Sequence, residues 1–116
     1  MGRPSSQRNI MDYRYNAEVL RWVDGDTVDC IVDLGFKISI RERFRLFGVD
    51  TPERGQPGFR EATAFCERLA PKGARVVVET QKTGKFGRWL CIVYTADGQH
   101  LNRLLIETGH AKRYLP

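Results

Sequence analysis

The sequence is poor in the residues that staple or anchor a chain. Only three cysteines occur among 116 residues, at Cys30, Cys66 and Cys91. They are odd in number, far apart, and form no Cys-x-x-Cys or Cys/His spacing, which excludes a disulfide framework and a recognisable zinc site. Cys30 and Cys91 lie in apolar, strand-like runs, so buried free thiols in a reducing compartment are expected. No apolar run of 18 residues exists, so no membrane span is predicted. The opening MGRPSSQRNIMDYRYN has no apolar h-region and no small-residue cleavage pattern, so it does not read as a signal peptide. The expected location is cytoplasmic, or exported with a leader not present in this chain. Two histidines, His100 and His110, have no partners in sequence and are expected at the surface rather than in catalysis. Internal repeats and linkers are missing as well.

What is present reads as one globular domain. The chain is 41% hydrophobic and 28% charged, and its length suffices for a core without covalent staples. The net charge of +5 and sequence pI of about 9.4 favour a polyanionic partner such as nucleic acid. Residues 1–12 read as a polar flexible tail, and 13–116 as the domain.

Alternation and turn signals predict strands over Tyr13–Val23, Thr27–Leu34, Phe36–Val49, Ala74–Thr80 and Trp89–Thr95. Asp24-Gly25 marks the first turn and Gly35 a break. Within Phe36–Val49 a bend or bulge is expected near Glu42. Phe59, Ala62, Phe65, Cys66 and Leu69 recur at helical spacing, which predicts a helix over Pro57–Leu69. A second helix is expected over Leu101–Thr108, with Gly109 where a C′ glycine belongs. Trp22, Trp89, Phe47, Phe59 and Phe65 are read as packing. The order β-β-β-α-β-β-α predicts a mainly β fold, a five-stranded Greek-key barrel of the OB type with two to three helices.

Three segments hold charges that a core-building strand does not need: Asp24-Gly25-Asp26-Thr27, the stretch from Arg45 to Glu53 (RLFGVDTPE), and Lys85-Phe86-Gly87-Arg88. Taken singly, each has a plain structural reading as a turn, an ion pair of Arg45 with Asp50, or solvated surface. Their joint order along one small barrel points further. If the strand ends carrying Asp26 and Asp50 meet, the two carboxylates repel unless a cation or proton lies between them. Hard oxygen ligands of that kind suit Ca²⁺ or Mg²⁺, with the carbonyl of Thr51 as a further donor. Pro52 fixes a turn that sets Glu53 near the same cavity, as a general base for water. Arg45 and Arg88 supply planar donors that match phosphate.

DGDTV (Asp24–Val28), FRLFGVDTPE (Phe44–Glu53), KFGRWL (Lys85–Leu90) and ADGQHLNRLLIETGHAK (Ala96–Lys112) resemble the staphylococcal nuclease-like, or thermonuclease, domain over Tyr15–Tyr114. The resemblance implies a Ca²⁺-dependent nuclease that hydrolyses phosphodiester bonds of DNA and RNA and leaves 3′-phosphates. It implies Asp26, Asp50 and Thr51 as metal ligands. Arg45, Glu53 and Arg88 would be catalytic, and Lys85, Phe86 and Tyr114 would contact the nucleotide. The expected partners are DNA and RNA, single strands preferred, with no membrane, and a monomer is expected. Three departures stand out. Phe86 replaces a tyrosine, the loop RGQPGF after Glu53 is short, and the chain stops before a third helix found in well-known members. The alternative is a catalytically inactive nuclease-like OB module that binds single-stranded nucleic acid or a protein partner.

Overall fold

The computed structural model describes residues 13–83 and 87–114. The expected N-terminal tail, Lys85 and Phe86 lie outside the described residues. Five strands close into a barrel: β1 (Tyr13–Asp24), β2 (Thr27–Gly35), β3 (Ile38–Leu46), β5 (Arg75–Thr83) and β6 (Trp89–Thr95), in the order β1-β2-β3-β6-β5. β1 pairs with β5 to complete the closure, and β3 runs parallel to β6 over Phe44–Leu46. Two short strands, β4 (Val49–Asp50) and β7 (Lys112–Arg113), pair antiparallel outside the barrel. Helices α1 (Phe59–Leu69) and α2 (Leu101–Glu107) complete the fold. The expected mainly β barrel with two helices is what forms.

Alternation explains the interior. Val28, Cys30 and Val32 of β2 meet Phe44 and Leu46 of β3, Val76 and Val78 of β5, and Cys91 and Val93 of β6 in one buried cluster. All three cysteines are buried free thiols. Burial pushes the Cys30 thiol up to about 12, so it is inert as a nucleophile at neutral pH. Among the described residues no helix is long and apolar enough to cross a membrane.

The structure corrects the third predicted strand in three ways. Phe36 is not strand: with Lys37 it forms the hairpin turn between β2 and β3, both at positive φ (55° and 64°), and it is 95% exposed. Ile38 and Ile40 are exposed too. The reason is that β3 has β6 beside it only from Phe44 onward, so the outer half of the hairpin has no layer to bury against. The bulge expected at Glu42 is not there. Register runs unbroken from Ser39 to Arg45, and Glu42 simply takes a place on the apolar-facing side. Register shifts fall elsewhere: in β1 at Val19/Arg21 and Trp22/Asp24, at the hairpin end of β2 at Asp33/Gly35, and in β5 at Thr80/Thr83. Lastly, a turn at Phe47-Gly48 separates β3 from Val49 and Asp50.

Other differences are smaller. α1 begins at Phe59 rather than Pro57, because Gly58 holds a left-handed φ of 92° at the N-cap. Trp22 is buried and donates its Nε1–H to the Ala70 carbonyl (2.9 Å). Trp89, expected to pack, is 41% exposed; it rims an apolar cavity of about 500 Å³ at the barrel mouth with Tyr13, Tyr15, Ile40 and Phe44. Phe65 is buried, while Phe47 and Phe59 are half-buried.

Both histidines find partners. His110 stacks on Phe65 with centroids 4.5 Å apart. His100 caps α2, its Nδ1 accepting from the Arg103 N–H (3.1 Å). Burial and the Arg103 charge hold its pKa below the ordinary value. The folded state therefore favours neutral His100, whose contribution is full above the unfolded pKa and is lost as pH falls through the lower folded one. His100→Ala is expected to cost about 1 kcal/mol at pH 8. In urea unfolding, the gap to the unsubstituted protein should shrink at pH 5.

Candidate active site

The site is built where the β1–β2 turn, the end of β3 and the segment after β4 converge. Asp24 starts it by accepting from the Asp26 N–H (3.0 Å), a side chain-to-backbone turn that Asp-Gly-Asp favours. Gly25 is required by close packing. A Cβ there would lie 2.9 Å from Ala62 Cβ of α1 and 3.0 Å from Thr51 Cγ2. The Gly25 carbonyl also accepts from the Cys66 Sγ–H (3.4 Å). Gly25→Ala is therefore expected to cost about 1–3 kcal/mol by overpacking, read from urea midpoints, because both neighbours are themselves buried.

Asp26 is 7% exposed. Its Oδ2 accepts from the Thr51 N–H (3.1 Å) and its Oδ1 from the Thr27 hydroxyl (3.1 Å). Arg45 Nη1 stands 3.3 Å from the same Oδ2, and Arg45 Nη2 stands 3.6 Å from Asp50 Oδ1. One guanidinium thus lies between two carboxylates that are 24 positions apart in sequence. It is itself fixed by donating to the carbonyls of Val49 (2.9 Å) and Leu46 (3.3 Å). The Tyr114 ring lies 5.9 Å from Arg45 Cζ, a cation–π distance, and the Tyr114 N–H reaches the Gly48 carbonyl (2.9 Å).

Electrostatics separates the acids. Burial works to raise the Asp26 pKa, but its hydrogen bonding with Asp24, the Arg45 charge and the Thr51 N–H outweigh this and hold it below the ordinary value. Asp24 goes the other way, up to about 6, through burial and its proximity to Asp26. The pair therefore keeps Asp26 ionised at neutral pH, facing Arg45.

The remaining residues named from the sequence fall around this group. Thr51 is buried, and its hydroxyl has no hydrogen-bond partner among the described residues. Asp50 and Thr51 line a cleft of about 520 Å³ with Gln56, His110 and Lys112. Glu53 is exposed in the turn beside the cleft without lining it, and its N–H donates to Gln56 Oε1 (2.7 Å). Arg88 is exposed, and the Phe44↔Trp89 register sets it level with Arg43, two residues from Arg45. The structure thus brings Asp26, Arg45, Asp50, Thr51 and Tyr114 together and leaves Glu53 and Arg88 at the margin.

Asn102 is a residue that the sequence reading missed. It is buried; its Oδ1 accepts from the Val93 N–H (3.0 Å), and its Nδ2 donates to the carbonyls of Phe47 (2.9 Å) and Cys91 (3.1 Å). It ties α2 and β6 to the turn that delivers Asp50. An asparagine between Leu101 and Leu105 on the apolar face of a helix was the available signal.

A model of the family described as "Staphylococcal nuclease homologue" matches residues 43–115, which is more than half of the chain. The chain belongs to this family. The matched span begins inside β3, so it covers Arg45, Asp50, Thr51, Glu53 and Arg88, while Asp26 lies before it and joins through the fold. Among relatives, an "Uncharacterized endonuclease" of Escherichia coli O157:H7 is 31% identical over 99 residues, 85% of this chain and 61% of that protein. A thermonuclease of Staphylococcus hyicus is 33% identical over 108 residues, 85% of this chain and 60% of that protein. One from Staphylococcus intermedius is 35% identical over 107 residues, 84% and 60% respectively. The chain spans about three fifths of the length of these relatives.

Proposed function

We propose that this protein is a Ca²⁺-dependent nuclease that hydrolyses phosphodiester bonds of DNA and RNA and leaves 3′-phosphate ends. The observation that carries the reading is the meeting of Asp26 and Asp50 at one cationic centre, Arg45, with the Thr51 N–H bonded to Asp26. Membership of the nuclease homologue family supports it. The proposal includes a single domain over residues 13–116, acting as a monomer with single strands preferred.

The donor set fits a hard cation. Asp26 and Asp50 are close enough to share one positive group, and Thr51 adds a buried hydroxyl with no hydrogen-bond partner among the described residues. Among the described residues no three His, Cys, Asp or Glu side chains gather as a metal group, so backbone carbonyls such as that of Thr51, and water, would complete the shell. Asp26, Asp50 and Thr51 would hold the ion, and bound Ca²⁺ would supply charge that stabilises the phosphoryl oxygens. The protein's own residues do the rest. Arg45, fixed on two carbonyls, would present its fork to the phosphate, and Arg88 would approach the same group from β6. Glu53, exposed beside the cleft, would accept the proton of the attacking water. Tyr114 would flank the nucleotide beside Arg45, and Lys85 and Phe86 would contact it from the β5–β6 connection.

The test is cleavage of a fluorescent single-stranded DNA by the purified protein in Ca²⁺ and then in excess EGTA. Cutting that appears only with Ca²⁺ is the expected result. A second reading, a binding module without activity, draws on the position of Glu53, which does not line the cleft that Asp50 and Thr51 form. Retarded DNA without cleavage by folded protein in Ca²⁺ would establish that reading in place of the first.

A further inference from the structure

β3 carries two guanidinium groups, those of Arg41 and Arg43, that the chemistry above does not use. Strand periodicity sets Arg41, Arg43 and Arg45 on one face and Ile38, Ile40, Glu42, Phe44 and Leu46 on the other. The pairing with β2 is unbroken through Thr27↔Arg45, Asp29↔Arg43 and Ile31↔Arg41, so this face does not switch. On the far side of β2, Arg21 of β1 pairs with Asp29. Arg21, Asp29 and Arg43 therefore form one row across three strands, with Arg41 next along β3.

Only one arginine of this row is committed to an ion pair among the described residues. Arg43 clasps Asp29 through Nε (2.7 Å) and Nη2 (3.1 Å). The hydrogen bonds from Arg43, with the charges of Arg43, Arg21 and Arg41, hold the Asp29 carboxyl below its ordinary pKa. Three arginines thus stand around Asp29, with Asp33 diagonal to Arg41 and Glu18 across β2 from it. Arg41 faces Ile31, not an acid, and all three arginines are exposed. The Asp29–Arg43 pair is the unlike-charge contact expected of a ladder; Arg41 and Arg21 stand exposed beside it, with Asp33 and Glu18 as further acids of this face.

We propose that Arg41 and Arg43, flanked by Arg21, form a second phosphate-binding track that runs along β3 from Arg45 toward the hairpin and holds the nucleic-acid backbone away from the bond being cut. The inference rests on the nuclease reading for its substrate. Same-face neighbours on a strand are about 6.8 Å apart, so Arg41, Arg43 and Arg45 offer three evenly spaced cations to successive phosphates of one strand. Arg43 is held in place by Asp29 with Nη1 outside that pair. Guanidinium suits phosphate as a planar fork, where an ammonium is a point charge.

The experiment compares kcat/KM on a single-stranded DNA 12-mer and on a dinucleotide carrying one phosphodiester, at 50 and 200 mM NaCl. The variants are Arg41→Gln and Arg41→Gln/Arg43→Gln. Arg41→Gln removes no ion pair of the described residues and so keeps the test independent of folding. The expected result is a fall of about 3–10-fold in the ratio of 12-mer to dinucleotide for the double variant. Its salt dependence on the 12-mer should also be shallower by about one log unit per log unit of salt. An unchanged ratio and slope in folded variants overturns the track. If the unsubstituted protein cuts neither substrate, the nuclease reading fails by itself. The track is then decided by 12-mer affinity from fluorescence anisotropy, where equal Kd for all three proteins overturns it and weakening in the variants supports it.

Discussion

Arg45→Met is expected to lower stability by about 2 kcal/mol and turnover by at least about 100-fold. The stability loss has two sources. Methionine fills part of the volume, but Asp26, 7% exposed, loses the charge that faces its Oδ2 at 3.3 Å. The carbonyls of Val49 and Leu46 lose their donor at the same time. Removing one member of a fully buried pair costs more than this; here the guanidinium is 17% exposed, so water recovers part of the loss. Urea unfolding without metal measures the effect. In the double variant Arg45→Met/Asp26→Asn most of the stability should return, because no unpartnered carboxylate remains, while turnover should stay low. Equal stability of Arg45→Met and the unsubstituted protein would mean that the Asp26–Arg45 contact is energetically idle.

Glu53→Gln separates chemistry from folding in the opposite sense. Glu53 is exposed and does not line the cleft, so the change is expected to shift stability by less than about 0.5 kcal/mol. The turn should persist, since it depends on backbone groups of Glu53, one donating to Gln56 Oε1 and one accepting from the Gln56 N–H. If Glu53 takes the proton from water, turnover should fall by about 100–10,000-fold with KM little changed. Single-turnover cleavage in Ca²⁺ gives the number. Unchanged turnover would remove Glu53 from the proton-transfer role and leave Asp26, Asp50 and Arg45 as the working group.

The two variants also weigh the site's parts against each other. In the proposed reading Arg45 combines a structural and a catalytic role in the same atoms, so its effect is mixed. Glu53 is assigned only a catalytic one there, which makes its exposed side chain the cleaner probe.

Much of this was legible along the chain. Period-two alternation in Thr27–Leu34 and Trp89–Thr95, and the helical spacing of Ala62, Phe65 and Cys66, are local consequences of which face is buried, and these elements formed close to their expected bounds. Asp26, Asp50 and Arg45 were readable as candidates because charged groups sat where strands needed none. Phe36 was misread because alternation reports which residues share a face, not whether anything covers it. Asp24 and Asn102 were passed over because a turn aspartate and a helix asparagine are ordinary until their neighbours are known.

By itself, the sequence determined four of the five barrel strands, the two helices, the buried thiols and the chemical types available, since these follow from side-chain period and composition. Only the tertiary structure decided which charges meet. Barrel closure carries Asp26 against Thr51 and sets one guanidinium between two distant carboxylates. It also stacks Arg41, Arg43 and Arg45 along an exposed face whose neighbours, Asp29 and Ile31, are known only from the register of β2. Coulomb energies and desolvation depend on distances through space, and the order of residues along a chain does not contain those distances until the strands pair.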